Sequence, residues 1–202
     1  EGFYADGSFI AHTGHPYNGG YGVSLAGTIA NLMYGLSTSV WKVVDASQAN
    51  VYKWMYDSYE SLIYKGAMPA ISRGREIARI SSNDHDIAYR IIRAVAKLSQ
   101  FAPPDHAANF KSMAKTWDSD YAYANRYSGS TIDMIKLLKA IVADSSIPVR
   151  PNPIGQHTLG GMDRIFHRGS NYGYGVSMYS NRTLNYEAGN GENIRGWYTN
   201  AG

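Results

Sequence analysis

The sequence predicts a layer of antiparallel helices that gives way to an antiparallel β part. Three observations carry this. Between Ser24 and Val142, successive stretches place apolar residues at helical spacing. Beyond Met162, apolar residues alternate with small or polar ones, the period of a strand. Between the two, IPVRPNPIG crowds three of the chain's seven prolines together. Proline neither continues a helix nor serves in a central strand, so the break is expected near Pro148, with helical residues 1–147 before it and residues 148–202 opening the β part.

Each element has its own signal. The first helix is expected from Ser24, as N-cap, to about Ser37, with Leu25, Ile29, Leu32, Met33 and Leu36 on its stripe. The second starts at Ser47, lines up Val51, Trp54, Met55, Tyr59, Leu62 and Ile63, and stops at Gly66 before Pro69. A short helix is possible over 75–79. Ser82 or Asn83 caps a third long run carrying Ile87, Ile91, Ile92, Val95 and Leu98, which Pro103 and Pro104 break. Asp105 caps the next, with Phe110, Met113, Ala114 and Trp117, and Thr131 leads into Ile132, Ile135, Leu138, Ile141 and Val142. Strands are expected over 162–168 and 172–179 as a hairpin, then over 183–186 and 197–199. So few strands bury no sheet alone, and the β part is expected to continue past Gly202. Because Glu1 enters a Gly-rich loop directly, a fragment or processed chain is expected.

Composition narrows the chemistry. With 202 residues and 44% hydrophobic content the chain can build a core. Lys and Arg outnumber Asp and Glu by 19 to 16, which favours an anionic partner, yet no dense basic run marks a nucleic-acid binder. Tyrosine, at 17 residues, is in excess. Rings that stack on sugar faces and hydroxyls that bond to theirs suit a carbohydrate cleft. No cysteine is present for a disulfide or thiolate site, and no apolar run reaches membrane-spanning length.

The segment DGSFIAHTGHPYNGGYG, Asp6 to Gly22, fits neither a helix nor an ordinary strand, and long irregular segments that carry aromatics are often functional. It holds His12 and Tyr21. A second constellation is Arg73, Arg75 and Arg79. The third is NYEAGNGENIRGWYTN, which gathers Glu187, Asn190, Glu192, Asn193 and Arg195 around Tyr186 and Trp197.

Four strings, DGSFIAHTGHPYNGGYG, SRGREIAR, GMDRIFHRGSNYGYGVSMYSNRT and NYEAGNGENIRGWYT, resemble polysaccharide lyase family eight, the hyaluronate, chondroitin AC and xanthan lyases. The resemblance covers nearly the whole chain. It implies the last helices of an α/α toroid followed by the first strands of an antiparallel β-sandwich domain, with the cleft near their junction. It also implies β-elimination at a uronic acid: the C5 proton is removed, the C4–oxygen bond breaks, and an unsaturated sugar remains.

By position in the motifs, the resemblance makes Tyr21 the catalytic tyrosine and His12 its histidine partner. Arg75 and Glu187 join them as catalytic residues, and Arg79, Asn190, Asn193 and Arg195 as substrate-binding ones. A phenol with a reference pKa of roughly 10 must shed its proton to act as base. Cationic arginine nearby favours that, and the same oxygen can return a proton to the leaving group. Tyr21 is therefore expected within a sugar ring's reach of His12 and of Arg75 or Arg79. The family's carboxylate-neutralising asparagine belongs upstream of this loop, so the 202 residues alone are expected to be inactive.

Plainer readings stand beside these. Glu187 could only pair with an arginine, Asn190, Asn193 and Arg195 could be equally structural, and Glu192 has no assignable role. His12 and His15 form an H-x-x-H pair without a third ligand, so no metal is expected, nor any cofactor. His15 reads as loop packing, and Trp54 and Trp117 as core. A glycoside hydrolase would need two carboxylates, for which Asp6 and Glu187 are the one pair to nominate. A noncatalytic polysaccharide-binding module is the other alternative. Among substrates, hyaluronan or chondroitin comes first and xanthan second. The expected partner is an anionic polysaccharide, with no nucleic acid or membrane, and the expected state an extracellular monomer.

Overall fold

In the computed structural model, which describes residues 1–121, 127–184 and 186–196, the opening segment is more regular than its sequence implies. Three short strands, β1 (Gly2–Phe3), β2 (Phe9–Ala11) and β3 (His15–Pro16), form an antiparallel meander. A single π-helical turn, Asn18–Gly22, then runs straight into α1 (Val23–Leu36). Tyr21 therefore sits on a helical turn, not in an irregular loop, and Ser24 caps nothing. Asn18 locks the meander: its Oδ1 accepts from Phe9 N at 3.0 Å, and its amide donates to Gly7 O at 2.8 Å and Ser58 Oγ at 2.5 Å. A buried amide so fully satisfied fixes one backbone path.

The buried face of α1 is Val23, Ala26, Ala30 and Met33. Leu25 and Leu32, expected inside, are 40% and 57% exposed. The small alanines let α1 lie close to α3, and size at the contact outweighs the larger apolar side chains on the neighbouring stripe. Helix α2 (Gln48–Trp54) continues through a π-helical stretch, Met55–Glu60, and buries Val51, Met55, Tyr59, Leu62 and Ile63 as expected. Gly66, at φ +73°, ends the segment. Trp54 stacks on Phe3 at 4.3 Å and Trp117 is buried.

At the centre lies α3 (Asp84–Leu98), whose Ile87, Ile91, Ile92, Val95 and Leu98 are fully buried. Asn83 is its cap: the side chain accepts from Asp86 N at 2.9 Å while the Asp86 carboxylate accepts from Asn83 N at 3.4 Å. Helix α4 (Pro104–Asp120) begins one residue before the expected Asp105, because Pro104 fits the first helical position, where no N–H is needed. Helix α5 (Ile132–Ala143) is capped by Thr131 as read.

The second sheet has the order β4 (Gly155–Leu159), β5 (Arg164–Arg168) and β6 (Gly173–Ser177), antiparallel throughout. The hairpin of β5 and β6 is the expected one, shortened at both outer ends. Strand β4 was not expected, since GQHTL contains one strongly apolar residue. Thr183, Leu184 and Tyr186 form no strand; Leu184 N donates instead to Gly14 O at 2.9 Å. Asn185 and the strand expected over 197–199 lie outside the described residues.

Two buried arginines tie this sheet to the helices. Arg164 donates from Nε to Ile71 O at 2.8 Å, and Arg168 from a terminal nitrogen to Glu60 O at 2.8 Å. Burial pulls the Arg164 guanidinium down to about 10, and the guanidinium donates to the carbonyl oxygens of Ile71, Met162, Asp163 and Met178.

Candidate active site

The turn after Pro69 brings the arginines to the meander. Residues Ala70–Ser72 and Gly74–Ala78 are 3₁₀ turns, and Arg79 leaves the second in extended conformation. Arg75 and Arg79 consequently do not share an α-helical face. They converge because Glu192 lies between them: it accepts from Arg75 Nε at 3.1 Å and from Arg79 through Nε and a terminal nitrogen, the latter at 3.1 Å. Glu76, buried, pairs with Arg79 at 3.0 Å.

Arg75 is the hub. One terminal nitrogen donates to Glu187 Oε1 at 2.6 Å and to the Tyr17 hydroxyl at 3.3 Å; the other donates to the Tyr21 hydroxyl at 3.0 Å. Every edge of the guanidinium is used, and its planar fork holds four groups, Glu192 included, in fixed relation. Burial works against its charge, but the hydrogen bonds to Tyr21 and Glu187 prevail and raise it above the ordinary arginine range.

Glu187 gathers the other side. Its Oε1 bonds His12 Nδ1 as well as Arg75, and its Oε2 accepts the Tyr17 hydroxyl. Burial pushes its pKa up, yet the hydrogen bonds from Tyr17, His12 and Arg75 hold it at about 2. An ionised carboxylate has no proton to give, so His12 Nδ1 is the donor in this pair, and in a neutral imidazole Nε2 is then the acceptor. This is the orientation a histidine needs to accept a proton at Nε2. His12 itself stands at φ +49°, a conformation fixed by the turn between β2 and β3.

Two tyrosines meet here and differ in kind. Tyr17 is fully buried; its hydroxyl donates to Glu187 and accepts from Arg75 N at 3.1 Å. Burial first, then Glu187, drive its phenol well above the ordinary range, so it stays protonated. Tyr21 is 37% exposed, and among the described residues its hydroxyl has one hydrogen-bond partner, Arg75. The ring of Tyr21 lies 4.6 Å from His12 and 4.9 Å from Tyr17. Of the two hydroxyls, that of Tyr21 is on the exposed side chain and bonds a cation, whereas that of Tyr17 is buried against a carboxylate.

His12, Tyr21, Arg75, Arg79 and Glu187 are thus gathered from three segments, with Arg75 lying 54 positions from Tyr21 and 112 from Glu187. Asn193, buried at φ +50°, donates to the Glu187 carbonyl at 2.9 Å and shapes the backbone that presents it. Asn190 and Arg195 are exposed and contribute no hydrogen bond to the cluster. Tyr17 and Glu192 were missed in the sequence. His15 is buried, as loop packing requires. Asp6 is engaged in structure, accepting from Ser8 N at 2.9 Å and Gly161 N at 2.7 Å. Among the described residues no group of three or more His, Asp or Glu is arranged to hold a metal, and no helix is long and apolar enough to cross a membrane.

A helical layer meeting an antiparallel sheet is also what comparison with known proteins finds. Residues 1–116 match the polysaccharide lyase family 8 N-terminal α-helical domain, and residues 154–202 match the super-sandwich domain of the same family. The chain belongs to polysaccharide lyase family 8: its helices are those of an α/α toroid and its second sheet opens an antiparallel β-sandwich. It is 46% identical, over its whole length, to 22% of a xanthan lyase of Bacillus sp. strain GL1. It is 33% identical, again over its whole length, to 25% of a hyaluronate lyase of Staphylococcus aureus. Among solved structures, a Paenibacillus xanthan lyase superposes with TM-score 0.94 at 40% identity, over 98% of this chain and 19% of that one. Streptomyces coelicolor A3 chondroitin AC lyase, in complex with chondroitin sulphate, gives 0.90 at 31%, over 100% and 29%. The chain therefore spans about a quarter of the length of the curated relatives it matches.

Proposed function

We propose that the protein to which these residues belong is a secreted, monomeric polysaccharide lyase that cleaves uronic-acid-containing polymers by β-elimination, with Tyr21 as base and then acid. Residues 1–147 supply the end of the catalytic toroid, and residues 148–202 the linker and the start of the β-sandwich. The observation that carries the mechanism is the contrast between the two phenols. Tyr17 is held protonated between Glu187 and Arg75, whereas Tyr21 is open to a ligand and its hydroxyl, among the described residues, bonds only the Arg75 guanidinium.

The steps follow from that geometry. The Tyr21 oxygen, as phenolate, takes the C5 proton; the electron pair forms the C4–C5 double bond as the C4–oxygen bond breaks. Tyr21 then delivers the proton to the departing oxygen. Arg75 sits where negative charge is carried on the phenol oxygen, a preorganised donor that needs no rearrangement during transfer. His12, oriented by Glu187, offers Nε2 to the substrate or to Tyr21. Arg79, held by Glu76 and Glu192, supplies a cation at the edge of the site, and Asn190 and Arg195, both exposed, are open to substrate. Among the described residues no side-chain amide bonds the Tyr21 hydroxyl. The family resemblance implies a carboxylate-neutralising asparagine that this cluster does not contain, so we expect the 202 residues assayed alone to turn over no polymer.

The greater likeness to xanthan lyases, 46% and 40% identity against 33% for the hyaluronate lyase and 31% for the chondroitin lyase, supports reading xanthan, ahead of hyaluronan and chondroitin, as the substrate. A hydrolase gains no support, because Asp6 and Glu187 both have their oxygens committed. Assaying the full-length protein on xanthan, hyaluronan and chondroitin tests this. Unsaturated, ultraviolet-absorbing ends are expected, with xanthan cleaved fastest; saturated reducing ends from all three would overturn it.

A further inference from the structure

Outside the cluster, α3 carries its own cationic stripe. Arg90, Arg93 and Lys97 follow one another at helical spacing and line a groove of about 340 Å³ between α1 and α3, whose opposite wall presents Ser24, Thr28 and Asn31. Along the helix axis the three span about 10 Å, comparable to two linked sugar rings. Arg93 and Lys97 are half-buried, and among the described residues no ion pair joins any of the three to a carboxylate.

Half-burying two cations side by side is unfavourable unless an anion completes the site, and the Asp86 carboxylate, whose charge acts on Arg93, forms no ion pair with it. Burial lowers the Lys97 ammonium, and Arg93 lowers it further. What each finds is weak: Arg93 lies over the Tyr89 ring at 5.3 Å, and Lys97 donates to Asn31 Oδ1 at 2.5 Å. The groove also has a direction. Arg90 lines a second hollow together with Arg79, Ser82 and Glu192, so the stripe leads from the Arg79 edge of the catalytic cluster outward along α3.

We infer that the α1–α3 groove, whose wall begins at Ser24, is an anion-binding subsite that takes carboxylate-bearing sugars of the same polymer beyond the sugar at Tyr21. This rests on the lyase reading for the identity of the ligand, not for the presence of the site. A polymer long enough to reach the groove gains charge-assisted hydrogen bonds from Arg90, Arg93 and Lys97, and a short oligosaccharide bound at Tyr21 does not. Hydroxyls on the α1 wall suit the sugar between charges.

The test uses the full-length protein and two variants. Arg93→Gln with Lys97→Gln removes the charges; Asn31→Asp leaves α3 intact and places a carboxylate against Lys97. Each is expected to raise KM for the polymer about tenfold, to flatten its salt dependence, and to leave kcat/KM for a tetrasaccharide of that polymer unchanged. Thermal melting identifies any variant that does not fold, and Asn31→Asp, which creates an ion pair, is expected to melt no lower than the parent. Unchanged polymer KM in both variants would overturn the inference and mean that the protein's own chain fills the groove. Should the parent cleave nothing, retardation in gels containing xanthan or hyaluronan reads the site independently: retardation lost in both variants supports it, and equal retardation of all three overturns it.

Discussion

At the residue scale, Glu187 decides most. Its two oxygens hold His12, Tyr17 and Arg75, and its side chain is only 10% exposed. With the folded pKa at about 2 and the ordinary value at 4.5, the carboxylate binds a proton more readily in the unfolded chain. Its stabilisation is therefore complete above the ordinary range and lost as pH falls from about 4.5 toward about 2. Glu187→Gln is expected to cost about 3 kcal/mol at neutral pH, because two buried donors, Tyr17 and Arg75, and the more exposed His12 lose their acceptor charge. The difference in melting temperature between parent and variant should shrink as pH falls through that window. A constant difference down to the lowest pH would contradict the shift.

None of this residue's role could be read locally. Its partners lie 112, 170 and 175 positions away in sequence, and nothing in NYEAGNGE distinguishes Glu187 from Glu192. Glu192, dismissed on the sequence, is what aligns Arg75 with Arg79. Tyr17 was equally hidden, since a tyrosine two residues from His15 and four from Tyr21 looks like loop packing until the turn at Gly74 is brought against it.

At the scale of elements, that turn is the joint on which the site depends. Gly74 stands at φ +54°, and a Cβ there would come within 2.2 Å of the Tyr17 ring. From the other side, a Cβ at Gly20 would meet the same ring at 2.4 Å. Tyr17 is clamped between two glycines from different elements, and its hydroxyl positions both Arg75 and Glu187. Gly74→Ala is expected to destabilise by about 3 kcal/mol, combining overpacking with left-handed strain, and to lower kcat. Gly191→Ala, at φ +76° with open space around it, bears the strain alone, about 1 kcal/mol. Equal melting temperatures for the two variants would refute the clamp.

The long helices were legible because periodicity and caps agree in them, most clearly in α3 with its Asn83–Asp86 box. Boundaries and faces failed where size rather than hydropathy governs: the alanine face of α1 displaced the leucine stripe, and Pro104 started α4. Strand β4 was invisible because its pairing with β5, not its own composition, holds it in the sheet. The meander escaped notice because its strands are two or three residues long and depend on Asn18.

For the whole molecule, the site exists only where three segments meet: the meander and its π-helical turn, the 3₁₀ turns after Pro69, and the chain beyond the β5–β6 hairpin. Arg164 and Arg168 hold the sheet against the helices by donating to carbonyls, so the third segment is delivered to the first two by packing. That convergence places one protonated phenol behind one accessible phenol and puts a single guanidinium on both. The account's central claim is that the accessible phenol moves the proton. Its most direct test is the ultraviolet absorbance of unsaturated product formed by the full-length protein and by its Tyr21→Phe variant on the same polymer. Loss of about a hundredfold or more in kcat, with KM little changed, is the predicted result; a variant that forms unsaturated product at the parental rate would contradict it.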